Sequence, residues 1–341
     1  MTNTTNIILF GLGKVGRELV QQVLSSGLKI RFTTLADSSA FISGNPLSKD
    51  QIESALQNKA AGQSLSSLNG SLPLSDLSAF YQQDTIVVDT SASRDLDLTP
   101  ALSAGCKLVY ANKNALSSPW KQAAGLYSKA QVAYEATVGA GLPVIQTLRS
   151  LVATGDTITR IEGVMSGTLG FLCSRLEQGA TYSEAVQQAF DAGYTEPDPR
   201  DDLSGFDVAR KALILGRTAG WPLEKDQLKV EALYDSGLVN IPVKDFFAQM
   251  SSMDAAFTQR ITDAGKDGKV LRYLATVNRE GGTVSLQSVD KSSALGALQG
   301  PGNYFAFYTR RYPEIPLVIA GPGAGVAVTA AGVFADILTL I

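Results

Sequence analysis

Eight charged side chains (Glu196, Asp198, Arg200, Asp201, Asp202, Asp207, Arg210 and Lys211) fall within the 16 residues from Glu196 to Lys211, in a chain that is 18% charged. Pro197 and Pro199 lack amide hydrogens and push their predecessors toward extended geometry, so the start of this stretch reads as a constrained loop. Ser204 or Asp202 is placed to cap a helix beginning near Gly205, which carries Asp207 and Lys211 at i and i+4 on one face. A lysine held by carboxylates can move a proton. The chain has no histidine, which removes Ser-His and Cys-His nucleophiles and histidine metal sites and leaves lysine and carboxylate as proton carriers. The competing reading is a solvated ion pair at a helix start, worth only about 0.3–0.5 kcal/mol; the rest of the chain has to decide between them.

A second chemical stretch lies near the N-terminus. The apolar run Ile7 to Phe10 leads directly into GLGKVG, in which Gly11, Gly13, Lys14, Val15 and Gly16 fit G-x-G-x-x-G, and Val15, Leu19, Val20 and Val23 then share one helical face. The first glycine allows a tight turn, the second lets backbone approach a pyrophosphate, and the third lets helix pack on strand. A further apolar strand, IRFTTLAD, ends in Asp37, where an acidic side chain can take a ribose 2′-hydroxyl. Asp37 favours NAD over NADP, because a carboxylate repels a 2′-phosphate and no arginine follows it before Arg94.

The elements that must position these groups alternate. Strand-like TIVVD, KLVYAN and QVAYEA are separated by helical stretches at 98–104 and 119–129, the pattern of a parallel, doubly wound sheet whose ligands bind beyond the carboxyl ends of its strands. Thr90, Ser91 and Ser93 follow the first of those strands and either cap the next helix or touch the cofactor. Lys113 follows the second and faces the ligand side. After about Ala140 a helix, the strand ITRIEGVM and the helix start SGTLGFL appear, and the free amides of Ser166 to Thr168 can hold a carboxylate. The later strands KVLRYLATV, TVSLQSV and NYFAFYT suggest an antiparallel sheet in a second domain. Leu317 to Ala320 and the helix-like 325–338 read as a last strand and helix returning to the first domain. The expected fold class is therefore α/β, a Rossmann-type doubly wound parallel sheet with an inserted α+β domain. Its expected boundaries are 1–140 plus 316–341 for the dinucleotide-binding domain and 141–315 for the substrate-binding and dimerisation domain.

Composition sets the remaining bounds. The chain has 341 residues, is 45% hydrophobic and carries a net charge of -3, which allows about two domains and gives no global pull toward nucleic acid or anionic membrane. Cys106 and Cys173 form no framework and suit a reducing, cytoplasmic setting. MTNTTNIILFGLG lacks the basic region and long apolar run of a signal peptide. The uncharged stretch 316–335 is broken by Pro322 and its glycines, so a strand, turn and helix account for it better than a membrane span.

The sequence as a whole resembles homoserine dehydrogenase, through GLGKVG, Asp37, ANKNAL, EATVGAGLP, SGTLGFL, GYTEPDPRDDLSGFDVARK and GPGAGVAVTAAGVFAD. It looks like the short form, without an aspartokinase or ACT domain. The resemblance implies a reversible, NAD- or NADP-dependent interconversion of L-homoserine and L-aspartate 4-semialdehyde, on the route to threonine and methionine, by a homodimer. Carried over by motif, Lys113 and Lys211 are the proton-transfer candidates. Glu196, Asp202 and Asp207 hold substrate or orient the lysines, with Gly167, Thr168 and Tyr194 lining the pocket. Glu135 with the carbonyls of Val138, Ala140 and Leu142 resembles the family's Na+ or K+ site, and Gly323 and Gly325 approach the cofactor. The alternatives are a related amino-acid or semialdehyde dehydrogenase on the same scaffold, or a dinucleotide-sensing protein without turnover.

Overall fold

The computed structural model describes residues 4–341. Its backbone divides into two units, one running to Pro143 and joined by Ala324–Ile341, the other Val144–Gly323.

The first unit begins with β1 (Thr5–Phe10), α1 (Lys14–Ser25), β2 (Ile30–Ala36), β3 (Ala40–Ser43), α2 (Lys49–Ala60) and the short β4 (Leu72–Pro73). It continues through β5 (Ile86–Asp89), α3 (Thr99–Ser103), β6 (Lys107–Tyr110), α4 (Trp120–Ser128) and β7 (Val132–Ala133). The sheet order is β4-β3-β2-β1-β5-β6-β7. The five strands from β2 to β7 run parallel, and β3 and β4 add an antiparallel edge. Ile7, Leu9, Val88 and Val109 face one side and pack with Leu19, Val20 and Val23 of α1. The alternate residues Ile8, Val87 and Leu108 are equally buried on the other side. Both faces are thus covered, which is why these strands read as continuous apolar runs. The last expected strand of the group stops at Ala133, and Glu135–Thr137 turns into a single 3-10 turn.

The second unit holds α5 (Val144–Ala153), β8 (Ile158–Val164), α6 (Gly167–Glu177), α7 (Tyr182–Asp191), α8 (Arg200–Leu203), α9 (Phe206–Thr218), β9 (Leu228–Val230), α10 (Val243–Gln249) and α11 (Asp254–Lys266). Then come β10 (Lys269–Asn278), β11 (Gly281–Asp290), β12 (Gly302–Thr309) and β13 (Leu317–Pro322). The sheet order is β13-β12-β8-β10-β11-β9, antiparallel except for β9 on β11. Helices α6, α9 and α11 pack on β10.

One expectation is overturned here. Leu317–Pro322 does not return to the first sheet but pairs antiparallel with β12, Leu317 opposite Phe307 and Gly321 opposite Asn303. Only the helix that follows, α12 (Val326–Thr339), rejoins the first unit, where Ala330, Val333 and Ile337 enter its core. A four-residue apolar run cannot by itself name its sheet partner; the alternating exposure along β13 is that of an edge strand.

Candidate active site

The glycine turn after β1 has the shape its spacing predicts. Gly11 has φ +90°, and a Cβ there would lie 2.5 Å from the Ser91 nitrogen; one at Gly16 would lie 1.9 Å from the Gly11 oxygen. A Cβ at Gly13 would meet nothing within 4 Å. The first and third glycines are therefore demanded by packing, whereas the second faces space, as a backbone that receives a ligand must. Gly13 precedes α1, whose first residues are Lys14 and Val15.

Thr90 and Ser91 tie the strand ends together. The Thr90 hydroxyl donates to the Gly11 carbonyl at 2.6 Å, and the Ser91 amide and hydroxyl both donate to Asp89 Oδ1. Burial pushes the Asp89 carboxyl up, against those bonds. The Ser93 carbonyl accepts from the side-chain amides of Asn112 and Asn114, which flank Lys113. Beside them lies a cavity of about 570 Å³ whose lining includes Asp89, Ser93, Asp97, Tyr110, Asn112 and Gln122. A cavity thus opens at the carboxyl ends of β5 and β6, the side on which sheets of this kind bind ligands.

Asp37 is otherwise engaged than its position in the sequence suggests. Its Oδ1 accepts from the Ser39 amide and hydroxyl and the Ala40 amide, and its Oδ2 accepts from Lys59 Nζ at 2.8 Å and the Leu65 amide at 2.9 Å. Burial alone would raise this carboxyl, yet the Lys59 ammonium, the Leu65 amide and Ser39 together hold it well below the usual carboxylate range. Five donors saturate the four lone-pair positions of a carboxylate.

The loop from Glu135 to Leu142 carries a buried carboxylate and two residues in the left-handed region, Gly139 at φ +80° and Ala140 at φ +56°. Ala140 is strained there, because its Cβ disfavours that geometry. The Glu135 amide donates to Asp336 Oδ2 at 2.6 Å, so α12 holds the loop from 201 positions away. A carboxylate and backbone carbonyls are oxygen donors of the kind a hard cation takes. Among the described residues no group of three or more His, Cys, Asp or Glu side chains gathers to hold a metal ion.

In the second unit the crowded stretch resolves into two kinds of charge. Arg200 is structural: it pairs with Asp198 at 2.7 Å and donates to the carbonyls of Leu238, Val239 and Ile241. Lys211 and the acids around it converge on the start of α6. Lys211 Nζ lies 2.9 Å from Asp207 Oδ2, one turn earlier on α9, and donates to the Met165 carbonyl at 2.6 Å. Three residues after Met165, the Thr168 hydroxyl lies 2.7 Å from the Tyr194 carbonyl and 2.9 Å from Asp202 Oδ1. The second Asp202 oxygen accepts from the Glu196 amide at 2.8 Å. Burial pushes the Asp202 carboxyl up, and neighbouring Glu196 and Asp207 add to this, while Thr168 and the Glu196 amide oppose it. Gly167 opens α6 behind the cap Ser166, and the Tyr194 ring packs 4.7 Å from Phe171.

Among the described residues Asp202 makes no side-chain bond to the start of α9, whereas Ser204 Oγ accepts from the Phe206 amide at 3.3 Å, the first amide of that helix. Its cap is Gly205, at φ +71°, where a Cβ would collide with the Tyr273 hydroxyl. Asp202 is thereby freed for Thr168. Gly323 closes the second unit after β13, and Gly325, at φ +127°, caps α12 in the first.

Sequence reasoning missed Lys59, Met165 and Asp336. Lys59 and Asp336 each carry a local signal, one basic residue late in α2 and one acid late in an apolar helix, but their partners are remote. Met165 acts through its carbonyl, which no residue type reveals.

Comparison with known proteins shows which family the chain matches. The family model described as homoserine dehydrogenase matches residues 143–338, and that of the homoserine dehydrogenase NAD-binding domain matches 11–137. The homoserine dehydrogenase of Emericella nidulans is 39% identical over 98% of this chain and 97% of its own length. The bifunctional aspartokinase/homoserine dehydrogenase of Haemophilus influenzae is 38% identical over 98% of this chain, which spans 42% of that protein. Among solved structures, a Candida auris protein described as of unknown function superposes with a TM-score of 0.86 at 32% identity, covering 98% of both chains. A hyperthermophilic archaeal homoserine dehydrogenase mutant in complex with NADPH gives 0.74 at 25% identity, covering 98% of this chain and 97% of its own. With models matching both halves and a full-length relative at this identity, the chain belongs to the homoserine dehydrogenase family.

Proposed function

We infer that the chain carries out the family's reaction, the reversible NAD(P)-dependent interconversion of L-homoserine and L-aspartate 4-semialdehyde. The observation that carries this reading is the convergence of Lys211, Asp207, Asp202 and Thr168 on the start of α6. Bound NAD(P) supplies the hydride acceptor or donor. Of the three ammonium hydrogens of Lys211, Asp207 and the Met165 carbonyl take two, which leaves one to pass to the alcohol oxygen as the semialdehyde is reduced; in the oxidising direction the neutral amine takes that proton back. Asp207 keeps the lysine oriented; Glu196 and Asp202 present carboxylates to the substrate ammonium; Thr168, Gly167 and Tyr194 shape the wall. Lys113, between Asn112 and Asn114, is the second candidate for the proton. Lys211→Met and Lys113→Met, assayed separately, distinguish the two: the lysine that transfers the proton is the one whose loss lowers kcat rather than raising KM.

Both cofactors are accepted on this account. The Lys59 ammonium neutralises Asp37, so the carboxylate neither repels a 2′-phosphate strongly nor offers a lone pair to a 2′-hydroxyl. The oxygen donors that Glu135 and the carbonyls of Val138, Ala140 and Leu142 offer are of the type a hard cation takes, which supports a Na+ or K+ that would stiffen this loop. The first unit is the dinucleotide-binding domain and the second binds substrate. The second unit also dimerises, supported by edge strand β13, on which Val318 is exposed beside Ile315. No helix among the described residues is long and apolar enough to cross a membrane, and the buried free thiols of Cys106 and Cys173 suit the reducing cytoplasm. Size measurement by light scattering tests the dimer. Reduction of NAD or NADP on addition of L-homoserine tests the activity, and its absence with both cofactors would overturn the reading.

A further inference from the structure

We propose that Asn303 is a positioning residue for the cofactor, acting through the backbone of Gly323. Asn303 sits on β12 opposite Gly321, and its side chain is 1% exposed. Among the described residues neither its Nδ2 nor its Oδ1 meets a hydrogen-bond partner. A buried amide left in this condition destabilises the fold, and a leucine of similar shape would avoid that cost altogether.

The carboxamide occupies the space that a side chain at position 323 would need. A Cβ on Gly323 would lie 2.1 Å from Asn303 Nδ2, 2.2 Å from its Cγ and 2.7 Å from its Cβ. Gly323 therefore packs against the Asn303 carboxamide with no hydrogen bond joining them in this conformation. The plane on one side of Gly323 is shared with Pro322, held on β13 opposite Gly302, whereas the plane shared with Ala324 lies beyond the strand, and Gly323 lacks the side chain that would resist its rotation. Rotation of that plane toward the amide gives Asn303 one partner and turns the plane's other polar group outward, since C=O and N–H point to opposite sides of a trans peptide. The inference rests on the reading that Gly323 approaches the cofactor, and it assigns the outward group to that contact: cofactor binding and satisfaction of Asn303 are one event.

This makes an unusual demand on Asn303→Leu. A residue kept for packing or stability would, when replaced, lower the thermal midpoint of the protein without cofactor. A positioning residue whose amide is unpartnered in that state would leave the midpoint equal or raised and weaken cofactor binding alone. The test is a fluorescence titration of NADPH into wild type and N303L, with thermal unfolding of both in the absence of cofactor. The expected result is an NADPH Kd raised about tenfold, the loss of roughly one hydrogen bond, with the midpoint kept and the KM for homoserine unchanged. Equal NADPH affinity, or a weaker affinity accompanied by a lowered midpoint, overturns the proposal. Should N303L fail to fold, N303A is read by its NADPH Kd relative to its homoserine KM, and parallel change in both overturns it. A wild type that binds neither NADPH nor NADH would overturn the reading of the cofactor site itself, a result distinct from equal binding by wild type and variant.

Discussion

Lys59 Nζ stands 2.8 Å from Asp37 Oδ2, with the lysine side chain 21% and the aspartate side chain 6% exposed. The acid that follows β2 is thus paired with a cation from the helix two elements later, and on the reading proposed above its charge does not sort cofactors by repulsion. Lys59→Ala restores that repulsion. The KM for NADP should rise about tenfold, the effect of roughly 1.4 kcal/mol, while the KM for NAD changes less. Steady-state kinetics with both cofactors check this; a parallel rise in both would show that Lys59 only supports the fold.

Two carboxylates give opposite pH signatures. Asp37 is held below its ordinary value, so its stabilisation is present above the unfolded value near 3.9 and is lost as pH falls below it. Asp37→Asn should therefore cost about 2 kcal/mol near neutral pH, with the gap from wild type closing as pH falls below about 4. Asp202 is pushed up, so its ionisation costs the folded state stability that is present below the unfolded value and lost as pH rises through the range above it. Asp202→Asn should gain on wild type as pH rises from about 4. Denaturant unfolding across pH measures both, and a gap that moves the same way for the two variants would contradict the assignment.

Asp336 holds the Glu135 amide at 2.6 Å. Asp336→Ala leaves that buried amide unpartnered, which costs about 1–3 kcal/mol and loosens the carbonyl loop. The concentration of K+ or Na+ needed for half-maximal activity should rise in this variant. Activity indifferent to either ion in wild type would remove the cation from the account.

What the sequence could disclose was local. The turn Gly11 to Gly16, the i,i+4 relation of Asp207 and Lys211 and the helix start at Gly167 each depend on neighbours within a few positions. The pairings that decide what the groups do are long-range: Asp336 to Glu135, Lys211 to the Met165 carbonyl 46 residues away, Lys59 to Asp37. Arg200 counted as site charge only until its bonds to the carbonyls of Leu238, Val239 and Ile241 were visible. The strand at Leu317 went to the wrong sheet for the same reason, since its apolar residues specify burial and not a partner.

The central claim is that the Lys211 side chain carries the proton of the substrate alcohol, accepting it as the amine when homoserine is oxidised and returning it as the ammonium in reverse. Its most direct measurement is the rate of L-homoserine-dependent NAD(P) reduction by wild type and Lys211→Met, which keeps the stem and removes the charge, with the thermal midpoint of each recorded alongside. The account predicts turnover by wild type and a fall of about 10²–10⁴-fold in kcat for the variant, at a midpoint that still denotes a folded protein. A folded Lys211→Met variant that turns over at the wild-type rate would contradict it.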